Sequence, residues 1–172
     1  MKKQKGFSLI ELLIVVAIIL IIAAIAIPNL LRSKIAANES SAVGSVRTIV
    51  TSQVTYSSSW GTGYATALNI LGGTPAACAA GATAVNACLI DPILSNGAKS
   101  GYNFATIATL PQVVGAVTVQ NGFETEGDPV ARGTTGQRSF CADQSGVIRF
   151  DPANNLIGVA CNTLPAAQVL GN

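Results

Sequence analysis

The chain, 172 residues long, contains no histidine. Without an imidazole there is no Ser-His or Cys-His nucleophile pair, no histidine general base and no histidine-ligated metal, which excludes most common hydrolase mechanisms at once. Charge is scarce too: Asp, Glu, Lys and Arg make up 10% of the residues, and the basic ones are scattered, so there is no electrostatic footprint for strong nucleic-acid binding. Aromatic residues amount to 5%, and none lies between Phe7 and Tyr56, so that segment holds no stack of rings along which electrons could pass. No Gly-x-Ser-x-Gly elbow occurs. Gly97-Ala98-Lys99-Ser100 resembles the tail of a phosphate loop, but Ile93 and Ala98 stand where that loop needs glycines, and it reads as a solvated turn.

What the chain does have is a long apolar run. From Phe7 to Ile27 the only polar side chains are Ser8 and Glu11, and as a helix this stretch spans about 30 Å, the thickness of a bilayer's hydrocarbon core. A carboxylate inside such a helix is costly, about 2.5–3.5 kcal/mol for Asp at the centre, so an intramembrane acid usually marks a functional partner. Three readings fit the segment. It can be a plain anchor, with Glu11 snorkelling to the headgroups. It can be a secretory signal, with Lys2, Lys3 and Lys5 ahead of it and Ala24-Ile25-Ala26 as a small-x-small cleavage site, although the run is longer than an ordinary signal core. The third reading rests on the residues around Glu11.

Gly6-Phe7-Ser8-Leu9-Ile10-Glu11-Leu12, behind the basic leader Met1 to Lys5 and ahead of Ile27-Pro28-Asn29, resembles the N-terminus of type IV prepilins and of type II secretion pseudopilins. The resemblance covers about the first 35 residues, where the motif is specific. It implies that a membrane-embedded prepilin peptidase cuts after Gly6 and that the new terminus, Phe7, is N-methylated. It further implies that Glu11 of an incoming subunit meets the Phe7 ammonium of a neighbour within the membrane, which neutralises both charges and sets the axial stagger of a helical filament. Opposite charges in low dielectric attract strongly. Pro28 removes one backbone donor and predicts a helix kink; in several filaments of the family the stretch before the matching proline unwinds, here Leu20 to Ile27.

Lys2, Lys3 and Lys5 precede the span and Arg32 and Lys34 follow it, which favours a cytoplasmic N-terminus. The remainder then lies outside the cytoplasm, where the even set Cys78, Cys88, Cys141 and Cys161 reads as disulfides. Four cysteines allow three pairings. The two local ones, Cys78 with Cys88 and Cys141 with Cys161, close their loops at lowest entropic cost. Zinc is disfavoured, because no Cys-x-x-Cys spacing accompanies the missing histidines. Glu124, Glu126, Asp128, Asp143 and Asp151 offer oxygen ligands for calcium, which pseudopilins bind near the C-terminus, but no Asp-x-Asp-x-Asp loop is present and a solvated acidic loop is expected. No metal and no cofactor are therefore predicted.

The layout predicted is α+β: a leader over 1–6, a transmembrane and assembly helix over 7–28, its amphipathic continuation over 29–56, and a loop-rich domain with an antiparallel sheet over 57–172. Along the continuation Leu31, Ile35, Ala42, Val46, Ile49 and Val50 recur at helical spacing, while Arg32, Glu39, Ser40 and Arg47 face elsewhere. Gly44 is expected to serve close helix-to-sheet packing. A short helix is expected over Ala65 to Leu71, closed by Gly72-Gly73. Strands are expected over Tyr102 to Leu110 and Val113 to Gln120 around a turn at Pro111-Gln112, then as a hairpin of Gln137 to Ala142 and Val147 to Phe150, with a last strand over Leu156 to Ala160. The helix should cover the sheet's bare face, an arrangement that agrees with the pilin fold. Together these features predict a non-enzymatic structural subunit of a homo-oligomeric filament, held in the inner membrane before assembly and extracellular or periplasmic afterwards. Its partners would be other copies, the prepilin peptidase and the assembly machinery. A type II secretion pseudopilin is the alternative, and a membrane-anchored exported enzyme the alternative from another class.

Overall fold

In the computed structural model, residues 7–165 and 169–170 are described; the expected leader, with Gly6, lies outside them. Helix α1 runs from Leu9 to Trp60, past the expected end at Tyr56. The hydroxyls of the Ser/Thr-rich end bond back to carbonyls of the preceding turn, Thr51 to Arg47, Thr55 to Thr51 and Ser58 to Thr55, rather than capping the helix early. The Tyr56 and Trp60 rings, one turn apart, also meet at 4.9 Å. Gly61, at φ +66°, then closes the helix from the left-handed region.

The chain divides into two compact units after Lys34. In the first, every large apolar side chain from Phe7 to Leu31 is exposed. Pro28 lies inside α1.

The second unit holds the remainder of α1, three short helices and one sheet. Helices α2 (Leu68–Leu71), α3 (Pro75–Ala80) and α4 (Pro92–Ser95) precede a five-stranded antiparallel meander of β1 (Ala98–Lys99), β2 (Tyr102–Val114), β3 (Val117–Pro129), β4 (Ser139–Asp143) and β5 (Ile148–Asp151), paired in that order. Ala42, Val46, Ile49 and Tyr56 bury one stripe of α1 in a core shared with Phe104, Phe140, Ala142 and Ile148. The sheet's bare face is thus covered by the helix, and the fold is α+β and pilin-like. Buried Gln53 ties the layers together: its amide accepts from Ala65 N–H and donates to Ala65 C=O and to the Thr106 hydroxyl, at 2.8–3.1 Å. That satisfies a polar group which would be costly to bury alone.

Four expectations need correction. Pro111-Gln112 is not a turn; β2 runs through it, and the chain reverses at Gly115-Ala116. Pro111 pairs with Gln120, whose N–H and C=O both bond away from β2, to Thr62 and Tyr64. The pair is therefore a site where the ladder makes no bond, and proline costs none there. Gly115, at φ +65°, supplies the turn instead. Leu156 to Ala160 is not a strand, because its amides bond to side-chain carboxylates, as described below. The acidic residues of 124–128 lie within β3 and are not a solvated loop. Gly44 is exposed, with open space where a side chain would stand, so close packing does not explain it.

Candidate assembly site

Ser8 stands just ahead of the first helical residue, Leu9, and Glu11 lies in the first turn. Its Oε2 accepts from the Ser8 amide at 2.9 Å. This Ser-x-x-Glu spacing is that of a capping box, which satisfies a donor the helix leaves bare and sets a negative charge at the positive end of its dipole. The Ser8 amide is the one hydrogen-bond partner of Glu11 among the described residues, and no cation pairs with it there. Phe7 and Glu11 thus come together at one helix end. Below them Leu9, Leu12, Leu13, Val16, Ala17 and Leu20 line one continuous groove without a polar atom.

The cysteines form the two local pairs, Cys78–Cys88 and Cys141–Cys161. The first pins α3, which opens with Thr74 capping Ala77 N–H and Pro75 at its first position. The second ties β4 to a 3-10 turn at Cys161–Thr163.

Two carboxylate clasps escaped the sequence reading. Glu39, expected to face away from the core, is buried: its Oε1 accepts from the amides of Gln137 and Arg138, and its Oε2 pairs with the Arg138 guanidinium at 2.7 Å. Burial pushes Glu39 up, but the Gln137 amide and Arg138 outweigh it and hold the carboxyl below its usual range. In β3, Asp128 accepts from the amides of Leu156 and Ile157, and Glu126 Oε2 accepts from Gly158. Three successive amides are therefore taken by two acids. Glu126 is 1% exposed, and its Oε1 has no partner among the described residues. Burial, partly offset by the Gly158 amide and reinforced by Glu124 and Asp128, pushes it up to about 7. Cys141 pairs across the ladder with Glu126 on one side and Arg149 on the other, so the disulfide stands between the acid and the nearest strand's guanidinium. The signal for this clasp was the alternation of Glu124, Glu126 and Asp128, which puts all three on one face of a strand. Asp143 and Asp151 are engaged elsewhere, with Ser145 and with Ala153 and Asn154. Among the described residues no three His, Cys, Asp or Glu side chains gather as metal ligands would.

Residues 1–27 match the prokaryotic N-terminal methylation motif. The N-terminus is of the prepilin type. Over 39 residues the chain is 62% identical to the type IV wide pilus major component of Thermus thermophilus, a match covering 23% of this chain and 30% of that protein. Over 54 residues it is 44% identical to the type IV major pilin protein of Myxococcus xanthus, covering 31% of this chain and 24% of that protein. The chain thus spans less than a third of the length of the curated relatives it matches, and the methylation motif lies within residues 1–27, ahead of the sheet. No solved structure matches the chain.

Proposed function

We propose that the chain is a structural subunit of a helical cell-surface filament of the type IV pilus kind, cleaved after Gly6 by the prepilin peptidase and assembled through its N-terminal helix. The reading divides the chain into a leader over 1–6, a membrane-spanning and assembly segment over 7–28 with a kink at Pro28, an amphipathic continuation over 29–56 and a globular head over 57–172. One observation carries it: Glu11 sits at the end of an apolar helix with one oxygen on its own backbone and, among the described residues, no cation paired with it. A second copy supplies that cation as the freed, N-methylated ammonium of Phe7, while the groove lined by Leu9 to Leu20 receives apolar side chains of a neighbouring helix. Before assembly the same helix holds the subunit in the inner membrane; afterwards it lies within the filament, outside the cytoplasm. One curated relative is named as a type IV wide pilus component and the other as a type IV major pilin, which favours a pilus over a secretion pseudopilus.

Glu11→Gln tests this. The substitution removes an intramembrane charge, so a plain anchor tolerates it or inserts more readily. A filament subunit instead loses the partner of a buried ammonium, and such unpaired charges cost about 3–5 kcal/mol. Surface filaments are expected to fall at least about tenfold, with membrane-held subunit unchanged and the mature chain still beginning at Phe7 by N-terminal mass analysis. Normal filaments from Glu11→Gln, or a wild-type chain that begins at Ile27, would refute the reading.

A further inference from the structure

The core ends before the sheet does. Strands β2 and β3 are paired along their full length, yet β4 reaches only Glu124 to Gly127 and β1 only Tyr102 and Asn103. The last cover on the hairpin is the Thr62–Tyr64 loop, which bonds the backbone of Gln120 and lays the Tyr64 ring 4.8 Å from Phe123. Beyond it the face that carries Phe104, Thr106 and Phe123 into the core continues as Asn121 and Gln112, which hydrogen-bond to each other, and then Val119, Val114 and Val117. Val114 and Val117 are exposed by 57% and 51%; on the opposite face Val113 is exposed by 72%, and Leu110, at φ +54° with its side chain beside Gly122, by 62%. No charged residue occurs from Ser100 to Phe123.

We propose that this outer half of the β2–β3 hairpin, residues 109–120, is a head-to-head contact covered by a second copy of this chain. The proposal rests on the filament reading above. Size and charge select the occupant. A stand-alone complex needs about 20–30 residues a side, more than this stretch supplies, so the hairpin holds only a partner already brought close by another contact. Copies joined through their helices are such partners, and each repeat adds the same small contact. Charge agrees: between Arg47 and Glu124 the only charged residues are Asp91 and Lys99, which pair with each other at 2.9 Å. The nearest charges to the hairpin, Glu124 and its ladder partner Asp143, lie at its covered end beyond Phe123, so the outer half itself offers no field that would select a charged foreign protein and no repulsion against its own like. Strand addition is disfavoured as the mode of contact, because Pro111 presents no N–H on the open edge of β2. Side-chain packing on the valine face remains.

The test is photo-crosslinking in cells, with p-benzoylphenylalanine at Val117 of the full chain. Products at multiples of the mature chain's own mass are expected. Their absence, or products containing a different protein, overturns the proposal. Val117→Glu gives a second measure: filament yield is expected to fall about tenfold from placing a charge in a dry contact, with subunit level and both disulfides unchanged, and an unchanged yield counts against the hairpin. Imaging the wild-type cells separates the two readings. Self-crosslinks without filaments would sink the pilus assignment and leave the contact standing; filaments without self-crosslinks would do the reverse.

Discussion

Glu126 binds its proton more tightly in the folded chain than in the unfolded one, its carboxyl pushed by burial from 4.5 up to about 7. The folded state therefore takes up a proton between those values, and stability falls as pH rises through that window. The contribution is full below about pH 4.5 and lost by about pH 7, at most ~3 kcal/mol from the shift. Glu39 acts in the opposite sense at the acid end: held low by the Gln137 amide and Arg138, it loses its contribution as pH falls toward its folded value. For the full chain in detergent, the urea midpoint is expected to be higher at pH 5 than at pH 8, with Glu126→Gln removing most of that difference. A midpoint that rises from pH 5 to pH 8 would contradict the assignment. Neither acid was legible as a buried group. Glu39 needed knowledge that Gln137 and Arg138 return to it from across the fold, and Glu126 was hidden by the ordinary expectation that clustered acids are solvated.

At the scale of elements, the sequence announced most of the second unit because local chemistry and packing agree there. The stripe of Ala42, Val46 and Ile49 predicted the buried face of α1, and Asp143-Gln144-Ser145-Gly146 predicted the β4–β5 hairpin. Errors arose where a backbone partner lies far away in sequence. Pro111 looked like a turn residue because nothing local reveals that Gln120 bonds outward to Thr62 and Tyr64, and Leu156 to Ala160 looked like a strand because its acceptors are carboxylates of β3. The cysteine pairs were legible from spacing alone, and they differ in consequence. Cys141 and Cys161 are fully buried and separated by 20 residues, against 10 for the half-buried first pair. Replacing both Cys141 and Cys161 by serine is expected to cost about 3 kcal/mol or more, and more than the same change at Cys78 and Cys88, since it frees a longer loop and leaves buried hydroxyls. Urea melts of the two double variants decide it; an equal or smaller loss at Cys141 and Cys161 would contradict the ranking.

For the whole molecule, fold class came from one period change, an apolar helix giving way to alternating strands, and the proposed function rests almost entirely on the first turn of α1. The head says little about partners because it spends so few charges. Removal of Lys2, Lys3 and Lys5 would leave seven basic against eight acidic residues, and the stretch from Thr48 to Ile90 contains none at all. That emptiness has a consequence for ionic conditions. In molar sodium chloride the Debye length shrinks to about 3 Å, and contacts made through exposed charges weaken. Contacts between uncharged apolar faces do not, and sulfate strengthens them by its exclusion from protein surfaces. On the filament reading, shed filaments are expected to keep their length in molar chloride and to bundle as sulfate is added, which light scattering and electron microscopy would follow. Disassembly by chloride alone would mean that the few charges of the head, rather than its valines, hold neighbouring copies together.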